Sequence, residues 1–366
     1  MTTLVRVPVP SGEAPPVERQ PDALPRADPI TRLRLLILSP HSRCNCRCLM
    51  CDIWRSDARD QLGADEIGRR LSEWHALGVE RVLLSGGEPL MHPRLWDLCA
   101  HLRTAGIGIT LLSTGLLLRR HASQLVQYCD DLVVSLDGPP QTHDAIRRVP
   151  RAFERLTQGL HAVVAAAHAS GATIRLSARC TVQRQNYREL RATVSAALAL
   201  PLQHVSFLAA DVSTSAFNRP VAQSIERGAA IEHGSGIALE ADDLPELALE
   251  LDRLEQEHAA AFRSGYIVES AARLRQRLYR YFAALLGLEQ FPVNRCNAPW
   301  VSTVIEADGT VKPCFFQPAL GKLTAEDSLL SILNSPEARR WRAGLQIDRD
   351  RICRRCVCTL ALQTTK

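Results

Sequence analysis

No run of about 20 uninterrupted apolar residues occurs in the 366-residue chain, and its first residues lack a basic stretch followed by an apolar core. These absences speak against a helical membrane span and a secretory signal, and the chain reads as soluble and cytoplasmic. Charge of one sign is also scarce: 44 Lys and Arg against 39 Asp and Glu leave a formal +5, and aromatics make up only 5%. A nucleic-acid surface needs a basic block interleaved with aromatics, so none is expected. What is abundant is apolar residues, at 46%, enough for a sizeable core. The length exceeds one ordinary domain of roughly 100 to 200 residues, so a large barrel or two domains is expected.

Cysteine is plentiful and clustered. Of twelve, four lie between positions 44 and 51 and three between 353 and 358. Neighbours spaced C-x-C and C-x-x-C in one loop point at a common centre, which suits metal better than a disulfide framework. Disulfide density belongs to small secreted domains, and this chain is neither small nor visibly secreted.

Residues 1–32 hold seven prolines and no apolar periodicity, and read as a flexible arm. From 33 a pattern repeats in which a short apolar run precedes an amphipathic stretch. The runs at 33–38, 81–84, 107–112, 131–136, 173–178 and 204–208 predict strands. The stretches at 65–77, 94–104, 119–128, 151–168 and 187–199 predict helices. Alternation of this kind calls for parallel pairing and right-handed crossovers, an α/β fold with a partial (β/α)6 TIM-like barrel over 33–210. A polar stretch at 211–236 and two helices over 244–288 make 211–290 a linker or cover. A small α+β module over 291–366 follows, with a strand near 300–306 and a turn at Asp308-Gly309.

The first cysteine loop directly follows the first strand, where β/α folds place their chemistry. The spacing Cys44-x3-Cys48-x2-Cys51 can bring three thiolates to three irons of a cubane and leave the fourth iron open. A zinc site using all four thiols, Cys46 included, is the competing reading. Later strands end in Ser85-Gly86-Gly87-Glu88-Pro89, Ser113-Thr114-Gly115 and Ser135-Leu136-Asp137-Gly138, the last trailed by His143-Asp144 and Arg147. The loop and these strand ends, in this order, resemble the radical S-adenosylmethionine (SAM) superfamily. The resemblance implies a [4Fe–4S] cluster on Cys44, Cys48 and Cys51, with SAM at the open iron. It places Gly86, Gly87, Glu88 and Pro89 at the SAM amino group. Ser135 is placed near the ribose or carboxylate, Asp137 near the reacting groups, and Ser113 among the further polar contacts; Arg179 could reach the SAM carboxylate, or be a surface arginine. Thr114 stands where relatives often carry asparagine. Asn186 could also reach the SAM carboxylate, or simply cap a helix.

The second set reads Cys296-x12-Gly309-x4-Cys314, then Cys353-x2-Cys356 and Cys358. It resembles the SPASM/Twitch auxiliary-cluster domains, which implies one auxiliary [4Fe–4S] cluster on Cys296, Cys314, Cys353 and Cys356. Eight residues follow Cys358 and hold no further cysteine, so a single auxiliary cluster is expected. Structural zinc is again the alternative. Cys358 and Cys46 have no assigned role. Cys99, Cys129 and Cys180 lie within helix or strand patterns as small core residues. Cys180, near the barrel mouth, is also a candidate hydrogen-atom donor.

These readings together imply an enzyme that cleaves SAM reductively and abstracts hydrogen from a natural-product substrate. The outcome would be dehydrogenation, epimerisation, decarboxylation or bond formation, with an external electron donor of flavodoxin or ferredoxin type. No leader-peptide domain is visible, which favours a small molecule such as an amino sugar or nucleoside over a ribosomal peptide. A noncatalytic zinc protein or an Fe–S regulator is the rival from another class. Tyr266, Tyr279, Tyr281 and Phe282 would either cover the substrate or pack the helix pair.

Overall fold

The computed structural model describes residues 28–219 and 236–362. The expected arm, but for its last residues, and much of the polar stretch after 211 lie outside the described residues. Six strands form where the apolar runs predict them: β1 Leu35–Leu38, β2 Arg81–Leu84, β3 Gly108–Ser113, β4 Asp131–Ser135, β5 Arg175–Val182 and β6 His204–Ala209. Each pairs in parallel with the next. Helices return the chain between them: α1 Ala64–Ala76, α2 Leu95–Thr104, α3 Ala122–Tyr128, α4 Pro140–Arg147, α5 Ala152–Ser170 and α6 Leu190–Leu198.

Side chains alternate along each strand and so sort onto two faces. On β5, Leu176, Ala178, Cys180 and Val182 are buried, whereas Arg175, Ser177, Arg179 and Thr181 turn to the other side. The buried set joins Val82, Leu84, Leu132 and Val134 in a core with Trp74, Leu98, Leu160 and Val194 from the helices. The opposite, inner face carries the polar residues. Ser135 pairs with Arg179, and Arg179 with Ser206, so these three share one row across β4, β5 and β6.

The C-terminal part is not a detached module. Strand β7, Ser302–Ile305, pairs in parallel with β1, and β8 Thr310–Lys312 and β9 Gly321–Lys322 follow antiparallel. One nine-stranded sheet results, in the order β6-β5-β4-β3-β2-β1-β7-β8-β9. The physical reason is the free edge of β1: an open barrel must cover its first strand, and all four residues of β7 are buried in doing so. The expected turn forms at Asp308-Gly309, where Gly309 has φ 86° and an added Cβ would stand 2.7 Å from the Leu323 carbonyl oxygen.

Of the two helices expected over 244–288, the first is α7, Leu244–Glu257, which packs on α6 and extends the outer ring. The second runs Ala271–Leu274, then through a π-helical stretch Arg275–Arg280 into Tyr281–Leu285. Between them Ile267 bridges in parallel to Val205 on β6. Tyr281 and Phe282 are fully buried and Tyr266 and Tyr279 pack on the same core, so these rings hold the helices together. Among the described residues no helix is long and apolar enough to cross a membrane.

Candidate metal centre and substrate cavity

The first cysteine loop is clamped from two sides. On one, Gly87 N–H donates to the His41 carbonyl (3.3 Å) and Glu88 N–H to the Arg43 carbonyl (2.8 Å). The approach is so close that a Cβ on Gly87 would lie 2.0 Å from the Arg43 oxygen. On the other side α4 presents its last carbonyls: Arg47 N–H donates to Arg147 (3.2 Å) and Leu49 N–H to Ile146 (3.1 Å). Thr114 hydroxyl reaches the Asn45 side-chain oxygen at 3.0 Å, so the residue that departs from asparagine still anchors this loop.

Burial pushes the Cys44 thiol up to about 12 and the Cys51 thiol up to about 11. Cys48 moves the other way. The neighbouring Cys46 thiol lowers it, and the Arg147 guanidinium, which donates to its sulfur at 3.4 Å, lowers it further. Cys46 rises correspondingly as the proton holder of the pair. Sequence reasoning assigned Cys46 nothing; the structure buries it beside Cys48 within the cysteine loop.

Of the residues expected at SAM, Glu88 and Ser113 are bonded to one another. Glu88 is fully buried, and its carboxylate accepts from Leu90 N–H (3.2 Å), Ser113 hydroxyl (3.0 Å) and Thr114 N–H (2.7 Å). Burial pushes its pKa up against the pull of these donors. Glu88 and Ser113 therefore knot the end of β2 to the end of β3. Pro89 starts the short 3-10 turn Pro89–Met91 and is buried with it. Only Ser85, Gly86 and Gly87 of that motif stay half-buried. Asp137 is fully buried and paired with Arg147, while its other oxygen accepts from Thr181 N–H at 2.9 Å. Its carboxylate is the counter-ion of the guanidinium on Cys48, since a buried cation needs one. Asn186 sits behind it, donating to the Asp137 carbonyl (2.9 Å). His143 ring nitrogen accepts from Asp137 N–H (3.2 Å), and burial pushes this histidine down to about 3.

Cys180 is corrected too. It is buried in the core between strand and helices, on the same face as Leu176 and Val182, with its thiol pushed up by burial. It does not reach the inner face, where a hydrogen-atom donor would have to stand. Ser135 and Arg179 do lie on that face.

The second set gathers around the C-terminal loop. Asn294 donates to the carbonyls of Cys353 (2.7 Å) and Cys356 (3.2 Å). Asn297 N–H donates to the Leu360 carbonyl (2.8 Å), and its side chain brackets Leu362. These two asparagines flank Cys296 and so pin it to the loop, a role the sequence did not suggest. Asp350 caps the short helix Arg351–Arg354, and Gln317 donates to the Cys353 sulfur at 3.3 Å. Burial raises Cys296, Cys314, Cys353 and Cys356, with Cys314 pushed up to about 11, and Cys358 stands close enough to Cys296, Cys314 and Cys356 to raise them further. Among the described residues no three His, Cys, Asp or Glu side chains close on a single point to hold one ion.

Phe217 links the two sets. Its carbonyl accepts from Asp52 N–H (2.9 Å), next to Cys51, and its ring lies 6.3 Å from that of Phe315, next to Cys314. Both Phe217 and Asn218 have positive φ, 62° and 59°, a left-handed pair that only firm surroundings hold in place. A cavity of about 320 Å³ opens on the inner face, lined by Ser177, Arg179 and Ser206 from the strands. Glu269, Arg273 and Arg277 form a further wall, and Cys358 and Thr359 of the C-terminal loop close it.

Comparisons with known proteins agree with this geometry. Residues 38–195 match the radical SAM superfamily, and residues 296–357 match SPASM, an iron–sulfur cluster-binding domain. An Fe-coproporphyrin III synthase of Methanosarcina barkeri is 30% identical over 154 residues, covering 41% of this chain and 37% of that protein. A GTP 3′,8-cyclase of Heliobacterium modesticaldum is 34% identical over 142 residues, covering 37% of this chain and 43% of that protein. The chain thus spans less than half the length of these two relatives. Among solved structures, anSMEcpe with bound AdoMet and Cp18Cys peptide shares the fold at TM-score 0.61 and 16% identity, covering 88% of each chain. Streptococcus suis SuiB bound to S-adenosylmethionine does so at TM-score 0.58 and 16% identity, covering 87% of this chain and 69% of that one.

Proposed function

From a chain that belongs to the radical SAM superfamily and carries a C-terminal SPASM iron–sulfur domain, we propose a redox-active C–H modification of a small molecule. Its cofactors are a SAM-binding [4Fe–4S] cluster, SAM, and an auxiliary Fe–S cluster. When bound, they supply one-electron cleavage of SAM to a 5′-deoxyadenosyl radical that abstracts hydrogen. The residues fit such a group: the buried sulfur of Cys48 has the Arg147 guanidinium aimed at it at 3.4 Å, as a thiolate ligand in a dry site requires.

In this reading Cys44, Cys48 and Cys51 hold the first cluster, and Cys296, Cys314, Cys353 and Cys356 hold an auxiliary [4Fe–4S] cluster. Ser135, with the half-buried backbone of Ser85, Gly86 and Gly87, orients SAM. The knot of Glu88, Ser113 and Thr114 keeps that backbone against the cysteine loop. The core around Phe207 and Phe282 keeps water from the helix-facing side of the strands. An external donor of flavodoxin or ferredoxin type supplies the electron.

The observation that carries the proposal is the cavity. Arg179 of the barrel and Cys358 of the auxiliary loop line one space, so a substrate seated there touches both the barrel strands and the C-terminal loop. Its volume of about 320 Å³ is at the compact end of small-molecule sites, which supports a small molecule over a peptide. Anaerobic reconstitution should yield about eight irons per chain and reductant-dependent 5′-deoxyadenosine. Zinc in place of iron, or iron without SAM cleavage, would overturn the reading.

A further inference from the structure

Positive charge is concentrated on the surface over the second cysteine set. Segments 291–296 and 348–356 hold Arg295, Arg349, Arg351, Arg354 and Arg355 against Asp348 and Asp350, a net +3 in 15 residues of a chain whose formal charge is +5. The two segments form one face. The Asn294 side chain donates to the carbonyls of Cys353 (2.7 Å), Arg354 (3.4 Å) and Cys356 (3.2 Å), and the Arg355 guanidinium lies 5.9 Å from the centre of the Phe291 ring. Val293 and Arg295, on either side of Asn294, are thereby held beside Arg354. All three are exposed, Val293 at 81%, the highest among the described large apolar residues. An exposed apolar side chain among exposed arginines is the make-up of a protein-docking face, where arginine is favoured because its guanidinium is weakly hydrated.

The cysteines beneath decide what docks there. Arg295 adjoins Cys296 in the chain and Arg354 adjoins Cys353, so the exposed charges stand next to the auxiliary thiols. The first cysteine loop offers less charge: residues 43–60 hold Arg43, Arg47, Arg55 and Arg59 against Asp52, Asp57 and Asp60, a net +1, and Arg55 is already paired with Asp52 at 2.8 Å. Resting on the radical SAM reading above, we propose that the face of 291–295 and 348–356 docks an acidic one-electron carrier protein, and that electrons enter at the auxiliary cysteine set. One electron passes per encounter: the carrier is oxidised by one, the auxiliary cluster is reduced by one, and no bond is made or broken. Opposite charge speeds and orients such encounters, which are brief and bury little surface.

The test titrates oxidised flavodoxin, as the acidic carrier, into the anaerobically reconstituted protein by calorimetry. One flavodoxin should bind per chain, more weakly as salt is raised. Arg295→Glu combined with Arg354→Glu should weaken binding about tenfold at low salt. The same change should slow oxidation of flavodoxin hydroquinone, followed by flavin absorbance after rapid mixing. Arg349→Glu, in the turn before the short helix, should act in the same direction on its own. These variants should melt like the parent, keep about eight irons and form 5′-deoxyadenosine at the parent rate with dithionite. Binding unchanged in them overturns the proposal, as does a loss found instead in Arg43→Glu with Arg47→Glu. So does the absence of binding by protein that forms 5′-deoxyadenosine with dithionite. Displacement of flavodoxin by polyglutamate at equal concentration marks a site for acidic peptides and also overturns it. No 5′-deoxyadenosine with dithionite, in protein that binds flavodoxin, sinks the radical SAM reading instead.

Discussion

Arg147 stands between a buried carboxylate and a buried sulfur, and both depend on it. Replacing it with methionine leaves Asp137 charged and unpaired in the core. Removing one partner of such a pair costs about 3–5 kcal/mol. We expect a loss of that size in urea unfolding for Arg147→Met, part of it recovered when Asp137→Asn is added. Cys46→Ala is expected to behave otherwise. Iron should stay at about eight per chain, because no cluster ligand is removed. The potential of the SAM-binding cluster should shift, since Cys46 packs beside the Cys48 ligand and its loss changes the surroundings of that sulfur; anaerobic potentiometry reads this directly. His143 gives a pH signature. Its folded pKa is lowered to about 3 from an ordinary 6.5, so folding favours the neutral ring. That contribution is complete above pH 6.5 and is lost as pH falls toward 3. Between pH 7 and 5 it amounts to about 2 kcal/mol. Unfolding midpoints for the parent and His143→Gln should therefore converge as pH drops; parallel pH profiles would contradict this.

At the scale of elements, the clamp on the cysteine loop is backbone against backbone, which makes Gly87 the sharpest probe. Gly87→Ala places a methyl within 2.0 Å of the Arg43 oxygen, and the loop must move. A destabilisation of about 1–3 kcal/mol is expected. Iron should fall to the auxiliary complement, as measured by iron content and by failure to form 5′-deoxyadenosine. Strands were readable because their apolar runs are short and bounded by helical patterns. Strand β5 extends beyond its expected end, to Val182, because its inner face is polar and the apolar signal thins to alternate residues. That same alternation was enough to place Cys180 beside Leu176 and Ala178, away from the inner face. Helix α4 went unread: eight residues opening at two prolines, with little apolar content, give no periodic signal. It is nonetheless the element whose carbonyls hold the loop. The strand-end motifs marked where chemistry would gather. They could not reveal that Glu88, Ser113 and Asp137 turn toward neighbouring loops, because a polar residue at a strand end reads alike whether it faces a ligand or a backbone N–H.

Across the whole molecule, the two cysteine sets belong to one sheet and share the Phe217 link. The variant Cys44→Ala, Cys48→Ala, Cys51→Ala should keep about four irons and lose all SAM cleavage, as the auxiliary thiols have their own anchors in Asn294 and Asn297. Loss of all iron would mean that Phe217 makes the sites inseparable. The pairing of β1 with β7 adds a matter of timing. Leu38 leaves the ribosome 264 residues before Ser302 (302 − 38), and its open edge waits for that partner. At ordinary elongation rates the delay is roughly 13–50 s. During it β1 stands with one flank bare, so synthesis of β7, rather than emergence of the cysteines, sets the earliest moment at which that side of the first strand is covered.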